Sequence, residues 1–141
     1  SDRLVPIGAN AIGVAIDVDD ELYVATVSGP QDKTLEVISN EIRAAVKGIS
    51  SGGPDARRLR SAEMTVSNLG GLDIDAFTAI IPPPQSAILA TGRVTETVVP
   101  VGGEFVVQPR LTITLSVDHR VASGKYAAGF LAEVVDFLET A

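Results

Sequence analysis

The chain contains a single histidine, His119, and its neighbours make it the leading candidate for proton-transfer chemistry. Imidazole is the side chain whose ordinary pKa lies closest to neutral pH, so it can accept and return a proton under physiological conditions. Asp118 and Arg120 flank it with charges of both signs, which can set the tautomer and the pKa of the ring. Judged from composition alone, however, a histidine in a loop is more often a surface or hydrogen-bonded residue than a catalytic one.

The composition excludes other classes of chemistry and of partner. The 141 residues include no cysteine, which rules out a thiolate nucleophile, a disulfide framework and a cysteine-ligated metal, and we expect no metal cofactor. With 11 basic and 18 acidic residues the net charge is −7, which repels nucleic acid and anionic membrane surfaces. No apolar segment of the sequence is close to the length of about 20 residues that a membrane-spanning helix needs. The first residues do not resemble a signal peptide. We therefore expect one cytoplasmic domain that binds neither nucleic acid nor membrane.

Short apolar segments rich in β-branched residues predict strands along most of the chain. They lie at residues 11–18, 21–27, 64–67, 86–95, 97–101, 104–107 and 110–118, with a further extended segment at 77–81. Asp19-Asp20 and Gly102-Gly103 each separate two of these strands and predict hairpin turns. Apolar and hydroxyl side chains alternate from Leu111 to Val117, which indicates a half-buried strand that leads directly to His119.

Two segments with apolar residues at helical spacing predict helices. The first covers residues 34–47, with Asp32 or Thr34 as its cap and Gly48 near its end, and a flexible loop is expected at 50–54. The second covers residues 125–139, and its apolar stripe consists of Tyr126, Phe130, Leu131, Val134, Val135 and Leu138. The order of elements predicts an α/β fold in which helices pack on a mixed β-sheet, without regular β-α-β alternation.

Four motifs, in order along the chain, resemble those of one enzyme family. Residues 118–124 (DHRVASG) resemble D-H-R-x-x-D-G, and residues 65–70 (TVSNLG) resemble T-I-S-N-L-G. Residues 77–89 (FTAIIPPPQSAIL) resemble F-T-A-I-I-N-P-P-Q-x-A-I-L, and residues 12–17 (IGVAID) resemble I-G-V-A-V-D. These motifs belong to the dihydrolipoamide acyltransferases, the acyl-transferring core components of 2-oxo-acid dehydrogenase complexes, which are related in fold to chloramphenicol acetyltransferase.

The resemblance implies a mechanism and a set of site residues. In the family the histidine is the general base that removes a proton from the thiol of coenzyme A or of dihydrolipoamide, and His119 occupies that position. A serine or threonine of the T-I-S-N stretch donates a hydrogen bond to the oxyanion, and Ser67 occupies that position. The supporting residues implied by the same motifs are Asn68, Asp118, Arg120, Ser123 and Gly124.

The resemblance also implies partners. In the family the two catalytic groups meet across a subunit boundary, so we expect a homotrimer or larger homo-oligomer in which His119 of one subunit faces Ser67 of its neighbour. Coenzyme A is expected as a substrate, and the lipoyl group is expected on a separate domain or chain. Residues 1–141 are expected to form the C-terminal portion of the catalytic domain, without a lipoyl or subunit-binding domain.

The chain departs from the family pattern at three points. Only residues 1–11 precede the first motif, which predicts that the N-terminal part of the fold is lacking. Ser123 replaces an aspartate that pairs with an arginine of that N-terminal part, and a carboxylate without its partner is costly in a partly buried loop. We therefore expect Ser123→Asp to lower stability or to leave activity unchanged. Pro82 stands where the family has asparagine, which removes one backbone donor and one side-chain amide.

Two other functions stay open from the sequence. The first is a stand-alone O-acyltransferase that acts on a hydroxyl of a substrate bound to an acyl-carrier protein in a natural-product pathway, where His119 would deprotonate a hydroxyl. The second is a non-catalytic oligomeric scaffold of the same fold, since a shortened chain would lack half of the tunnel for coenzyme A and lipoamide. Transfer assays with these acceptors, with and without His119→Ala, distinguish the three.

Overall fold

A computed structural model of the chain describes residues 10–18, 21–51 and 62–141. Within these ranges the strands are β1 (Ala11–Val18), β2 (Glu21–Ser28), β3 (Met64–Asn68), β4 (Ala87–Thr91), β5 (Thr95–Val101), β6 (Glu104–Arg110) and β7 (Ile113–Val117). The helices are α1 (Leu35–Ser50) and α2 (Gly124–Thr140), with short 3₁₀ turns at Pro30–Asp32 and Gly70–Leu72. The expected turn at Asp19-Asp20 and most of the expected loop at 50–54 lie outside the described residues.

Five strands form one mixed sheet in the order β2-β1-β3-β4-β7. β1 and β2 are an antiparallel hairpin, β1 pairs in parallel with β3, and β3 pairs in parallel with β4. β7 runs antiparallel to β4 at the far edge. This arrangement, with α1 against β1 and β2, confirms the predicted α/β fold with a mixed sheet and packed helices.

β5 and β6 form a separate antiparallel ribbon. Its turn is Gly102-Gly103, as the sequence predicts, and both glycines have positive φ angles of 60° and 91°. A two-residue hairpin turn of this kind needs left-handed backbone at both central positions, which glycine adopts without steric cost. Several apolar side chains of the ribbon are exposed, including Val98, Val107 and Phe105.

The buried core lies on the central strands and is built mainly from small residues. Its apolar members are Ala11, Ala25, Val27, Ile49, Ala62, Ile88, Leu89 and Ala90. Thr65 on β3 is fully buried, and its hydroxyl donates a hydrogen bond of 2.8 Å to Oε1 of Gln85. β1 passes so close to it that a Cβ at Gly13 would lie 2.6 Å from Oγ1 of Thr65.

α1 begins where the sequence predicts and ends later. Thr34 is the N-cap, and its side chain accepts a hydrogen bond from the backbone N–H of Val37. Gly48 lies near its end, as predicted, although the helix continues beyond residue 47 to Ser50. Burial of Ile49 extends the apolar face beyond Gly48 and offsets the about 1 kcal/mol that a glycine costs inside a helix.

Three predicted extended segments differ from the structure. The strand expected at 86–95 ends at Thr91, and the strand expected at 110–118 covers only Ile113–Val117. Gly92 ends β4 because its backbone turns there to lie against the carbonyl of Asp75. Residues 77–81 join no strand of the described sheets, and three prolines follow them that lack backbone donors.

α2 has the predicted bounds within one residue, but its apolar stripe is not buried. No residue of α2 is buried, and the side chains of Tyr126 and Leu138 are 71% and 54% exposed. The helix contacts the sheet mainly at β7, the edge strand, so little of its surface can be covered. Neither of the two described helices has the length and apolar character needed to cross a membrane.

Candidate active site

The turn between β7 and α2 holds His119 in a defined backbone frame. The N–H of Asp118 donates to the carbonyl of Ser86 at 2.8 Å, which continues the sheet by one residue beyond β7. The N–H groups of Val121 and Ala122 both donate to the carbonyl of Asp118, at 2.9 and 3.1 Å. His119 therefore lies at the exposed tip of a tight turn whose backbone hydrogen bonds return to Asp118.

Asp118 and Arg120 bind each other across this turn. Nη2 of Arg120 lies 2.7 Å from Oδ2 of Asp118, and the backbone N–H of Arg120 donates to Oδ1 at 2.9 Å. These bonds, from the side chain first and then the backbone, lower the pKa of Asp118 to about 2. The same contacts raise the pKa of Arg120.

The influence of these two charges on the imidazole stays a prediction. Among the described residues none forms a hydrogen bond with the His119 ring, and Asp118 and Arg120 are engaged with each other. Their role in the structure is to stabilise the turn that carries the ring.

Position 123 has a structural role that the sequence interpretation missed. Ser123 is the N-cap of α2, with φ −74° and ψ 157°, and its Oγ accepts a hydrogen bond from the N–H of Tyr126. Gly124 is the first residue of the helix. Serine, aspartate and asparagine are all strongly favoured N-caps. Since Ser123 is exposed, the expected penalty for a lone carboxylate at this position does not apply in the single chain.

Ser67 and Asn68 lie at the end of β3. The carbonyl of Ser67 accepts a weak hydrogen bond of 3.5 Å from the Thr91 hydroxyl. Oδ1 of Asn68 accepts from the N–H of Gly70 at 2.8 Å, which forms the turn predicted for this residue. The Ser67 hydroxyl forms no hydrogen bond among the described residues and lies half-buried near the end of β3, the central strand of the sheet.

The strand register places Ser67 and His119 at opposite ends of the sheet. Ser67 pairs with Ala90, and Ala90 pairs with Thr114 of β7. From Thr114, β7 continues away from the end of β3 for three residues to Val117, about 10 Å, and Ser67 lies two strands across, about another 10 Å. The backbones at Ser67 and Val117 are thus about 14 Å apart, and His119 lies beyond Val117. One chain does not bring the two side chains together.

An open cleft of about 340 Å³ lies next to the Ser67 end of the sheet. Its lining residues are Asn68, Gly70, Gly71, Asp73, Gly92, Arg93, Val94 and Thr95. Arg93 forms an ion pair of 2.6 Å with Asp75 and a longer one of 3.5 Å with Asp73. The sequence interpretation missed this group, since its members lie on two separate loops without a motif. Within the described ranges no cluster of three or more His, Cys, Asp or Glu side chains could hold a metal ion.

The comparison with protein families decides where this chain belongs. The sequence model of the 2-oxoacid dehydrogenases acyltransferase family (catalytic domain) matches residues 3–141. The chain belongs to this family. The resemblance seen in the four sequence motifs is therefore confirmed across nearly the whole chain.

Three relatives are similar to this chain in sequence or in structure over most of its length. Component 2 of the dihydrolipoyllysine-residue acetyltransferase of the mitochondrial pyruvate dehydrogenase complex from Arabidopsis thaliana is 36% identical over 132 residues, which cover 92% of this chain and 24% of that protein. The dihydrolipoamide acetyltransferase of Azotobacter vinelandii superposes with a TM-score of 0.79 and 34% identity, over 91% of this chain and 53% of that one. The cubic core of a pyruvate dehydrogenase multienzyme complex gives a TM-score of 0.80 and 33% identity, over 91% and 53%.

The chain spans about a quarter of the length of the Arabidopsis relative and about half of the two solved relatives. Residues 3–141, which the family model matches, include the sheet, both helices and every residue of the candidate site. The Arabidopsis and Azotobacter relatives are named as acetyltransferases, and the third relative is the cubic core of a multienzyme complex.

Proposed function

We propose that this chain is an acyltransferase subunit that moves an acyl group between a coenzyme A thioester and the thiol of dihydrolipoamide. Each active site would combine His119 of one subunit with Ser67 of a neighbouring copy. Residues 1–141 would supply the part of the catalytic domain that carries both groups, and the lipoyl group would arrive as a substrate on a separate domain or chain.

The observation that carries the proposal is the spacing of three residues. The crystallographic and enzymatic work on the Azotobacter vinelandii enzyme concerns a serine, a histidine 52 positions later and an asparagine four positions after the histidine, all in its catalytic mechanism. Ser67, His119 and Ser123 have the same spacing in this chain. Asparagine and serine are both N-cap residues, so the difference at position 123 preserves the start of α2.

The chemistry follows from the two side chains. The His119 imidazole takes the proton of the attacking thiol, and the thiolate forms a bond to the acyl carbon, whose carbonyl becomes an oxyanion. The Ser67 hydroxyl donates a hydrogen bond to that oxyanion. When the intermediate collapses, the bond to the first sulfur breaks and the imidazolium returns its proton to the departing thiolate. A positioned base contributes about 10²–10⁴-fold in rate, and one oxyanion donor about 10²–10³-fold.

The separation within one chain supports a shared site. A base and an oxyanion donor that act on one intermediate lie within a few ångströms of the same reacting carbon. The Ser67 hydroxyl and the His119 turn lie at opposite ends of the sheet, about 14 Å or more apart, so one chain offers two halves of different sites. A ring of copies places the His119 end of each chain against the Ser67 end of the next, which is a heterologous, closed arrangement. The exposed apolar side chains of α2 and of the β5–β6 ribbon supply surface for such contacts.

The test is acetyl transfer from acetyl-CoA to dihydrolipoamide by the oligomeric protein. We expect His119→Ala to lower kcat by about 10²–10⁴-fold and Ser67→Ala by about 10²–10³-fold. Ser28→Ala, an exposed serine at the end of β2, serves as the matched control and should leave kcat unchanged.

Other outcomes point to other functions. Full activity of His119→Ala contradicts the proposed base. Transfer to a carrier-bound hydroxyl, with dihydrolipoamide ignored, supports the O-acyltransferase alternative. No transfer to either acceptor by a stable oligomer supports the scaffold alternative.

A further inference from the structure

We propose that Arg93 is a positioning residue for the Ser67 hydroxyl, because it ties the loop that follows β3 to the loop that follows β4. This inference rests on the proposed role of Ser67 as the oxyanion donor. Arg93 itself touches neither the reacting atoms nor Ser67, so its effect on the reaction would be transmitted through the backbone that ends β3.

Arg93 contacts three consecutive residues of the loop after β3. Its Nε lies 2.6 Å from Oδ1 of Asp75, and its Nη1 lies 3.5 Å from Oδ1 of Asp73. Its backbone N–H donates to the carbonyl of Ile74 at 2.8 Å. One residue therefore binds the loop through both side chain and backbone. The hydrogen bond to Asp75 raises the pKa of Arg93, whose guanidinium is protonated at ordinary pH even without this contact.

The two loops also meet at backbone contact distance. A Cβ at Gly92 would overlap the carbonyl oxygen of Asp75. A Cβ at Gly70 would lie 2.7 Å from the carbonyl oxygen of Gly92. The fit leaves no room for either loop to shift toward the other, so the position of one is fixed by the other as long as the Arg93 ion pair holds them together.

Two hydrogen bonds connect the ends of β3 and β4, next to these loops, with the backbone of Ser67. The N–H of Leu69 donates to the carbonyl of Thr91 at 3.2 Å, and the Thr91 hydroxyl donates to the carbonyl of Ser67 at 3.5 Å. β3 has five residues and Ser67 is the fourth, so the strand has only Asn68 beyond it. Without the fastened loops, fraying of this short strand would move the Ser67 hydroxyl directly.

Because the Arg93–Asp75 ion pair is exposed, a positioning effect on catalysis can be measured separately from an effect on the stability of the fold. The side chains of Arg93 and Asp75 are 38% and 72% exposed, and ion pairs at this degree of exposure contribute little to the free energy of unfolding. An oxyanion donor acts only when charge develops on the carbonyl oxygen, so a displaced donor lowers kcat and leaves KM unchanged. Loss of Arg93 should therefore affect turnover and not substrate binding.

The experiment compares four variants of the oligomeric protein in acetyl transfer from acetyl-CoA to dihydrolipoamide. We expect Arg93→Ala to lower kcat by about tenfold at unchanged KM, less than the loss from Ser67→Ala. In the double variant, Arg93→Ala should add nothing to the loss from Ser67→Ala, because a missing donor cannot be mispositioned. Arg43→Ala, which removes an arginine bonded to Asn40 on α1, is the matched control and should not change kcat.

Exchanging the charges of Arg93 and Asp75 tests whether the ion pair itself, once restored, also restores kcat. Arg93→Asp should lower kcat as Arg93→Ala does, and adding Asp75→Arg should restore most of it. Should Arg93→Ala not fold, Asp75→Asn weakens the same pair with little change in shape and should lower kcat in the same direction.

The outcomes keep the two proposals apart. An unchanged kcat for Ser67→Ala refutes the oxyanion role and with it the reason for a positioning residue. A large loss for Ser67→Ala combined with an unchanged kcat for Arg93→Ala, or with losses that multiply in the double variant, overturns the role of Arg93 alone. A raised KM at unchanged kcat also overturns it, since that result assigns Arg93 to substrate binding.

Discussion

Two inactive variants of this protein, mixed as subunits, are expected to produce active enzyme. His119→Ala keeps the Ser67 hydroxyl, and Ser67→Ala keeps the imidazole. Under the proposed shared site, each variant would supply the half that the other lacks, because the two groups lie at opposite ends of the sheet of one chain.

The expected yield follows from random assembly. If each site takes its base from one subunit and its oxyanion donor from the next, an equimolar mixture gives an intact base in half of the sites and an intact donor in half of those. About a quarter of the sites are then complete. The mixture should regain about a quarter of the wild-type kcat per subunit, whereas either variant alone retains about a hundredth or less. A site formed within one chain would require its two halves to close about 14 Å, which the sheet register does not allow.

The assay is acetyl transfer to dihydrolipoamide after the two variants are unfolded together in urea and refolded. Mass spectrometry of the intact oligomers verifies that mixed species form. The same variants mixed without unfolding provide the control and should stay inactive while subunits do not exchange. Verified mixed oligomers with no more activity than the separate variants would refute the shared site.

Three further predictions concern the frame of the site. Ser123→Ala removes the N-cap of α2 and should lower the free energy of unfolding by about 1 kcal/mol in urea titrations, whereas Ser123→Asp should match the wild type because aspartate caps equally well. The pKa of Asp118 is lowered from 3.8 to about 2, so its ionised form stabilises the folded chain above about pH 4 and this contribution is lost as the pH falls to 2. The free energy of unfolding of Asp118→Asn should accordingly fall less between pH 4 and 2 than that of the wild type. Gly92→Ala should reduce kcat and lower the melting temperature, since its Cβ would overlap the Asp75 carbonyl, whereas Gly71→Ala, with open space around it, should change neither by more than a small margin.

Local structure could be predicted from the sequence because its signals are local. The alternation of residues 111–117 and the helical spacing of 125–139 each report on neighbours in the chain, and the structure has a strand and a helix there. Gly102-Gly103 predicted its turn for the same reason, since the backbone conformation needs glycine at both positions. Strand ends were less predictable, because Gly92 ends β4 through a contact with a loop seventeen residues earlier.

The geometry of the site depends on pairings that no local pattern contains. His119 and Ser67 were identified from motifs, and their assignment as base and donor stays a prediction. Their placement at opposite ends of the sheet follows from β3 pairing in parallel with β4 while β7 runs antiparallel to it. The Arg93–Asp75 pair joins two loops whose residues follow no regular spacing in the sequence. The apolar stripe of α2 predicts an apolar face, but the sequence pattern does not identify the surface that would cover it.

The exposed apolar side of α2 has a consequence for how the protein would lose its function. The helix starts five residues after His119, and none of its side chains is buried by the chain's own sheet. Contacts made by that apolar side with a neighbouring copy would then add support to the turn that carries the imidazole. Under gradual dilution or mild chaotrope, turnover should fade while the circular dichroism of the strands is still intact, so loss of catalysis would be an early gauge of dissociation.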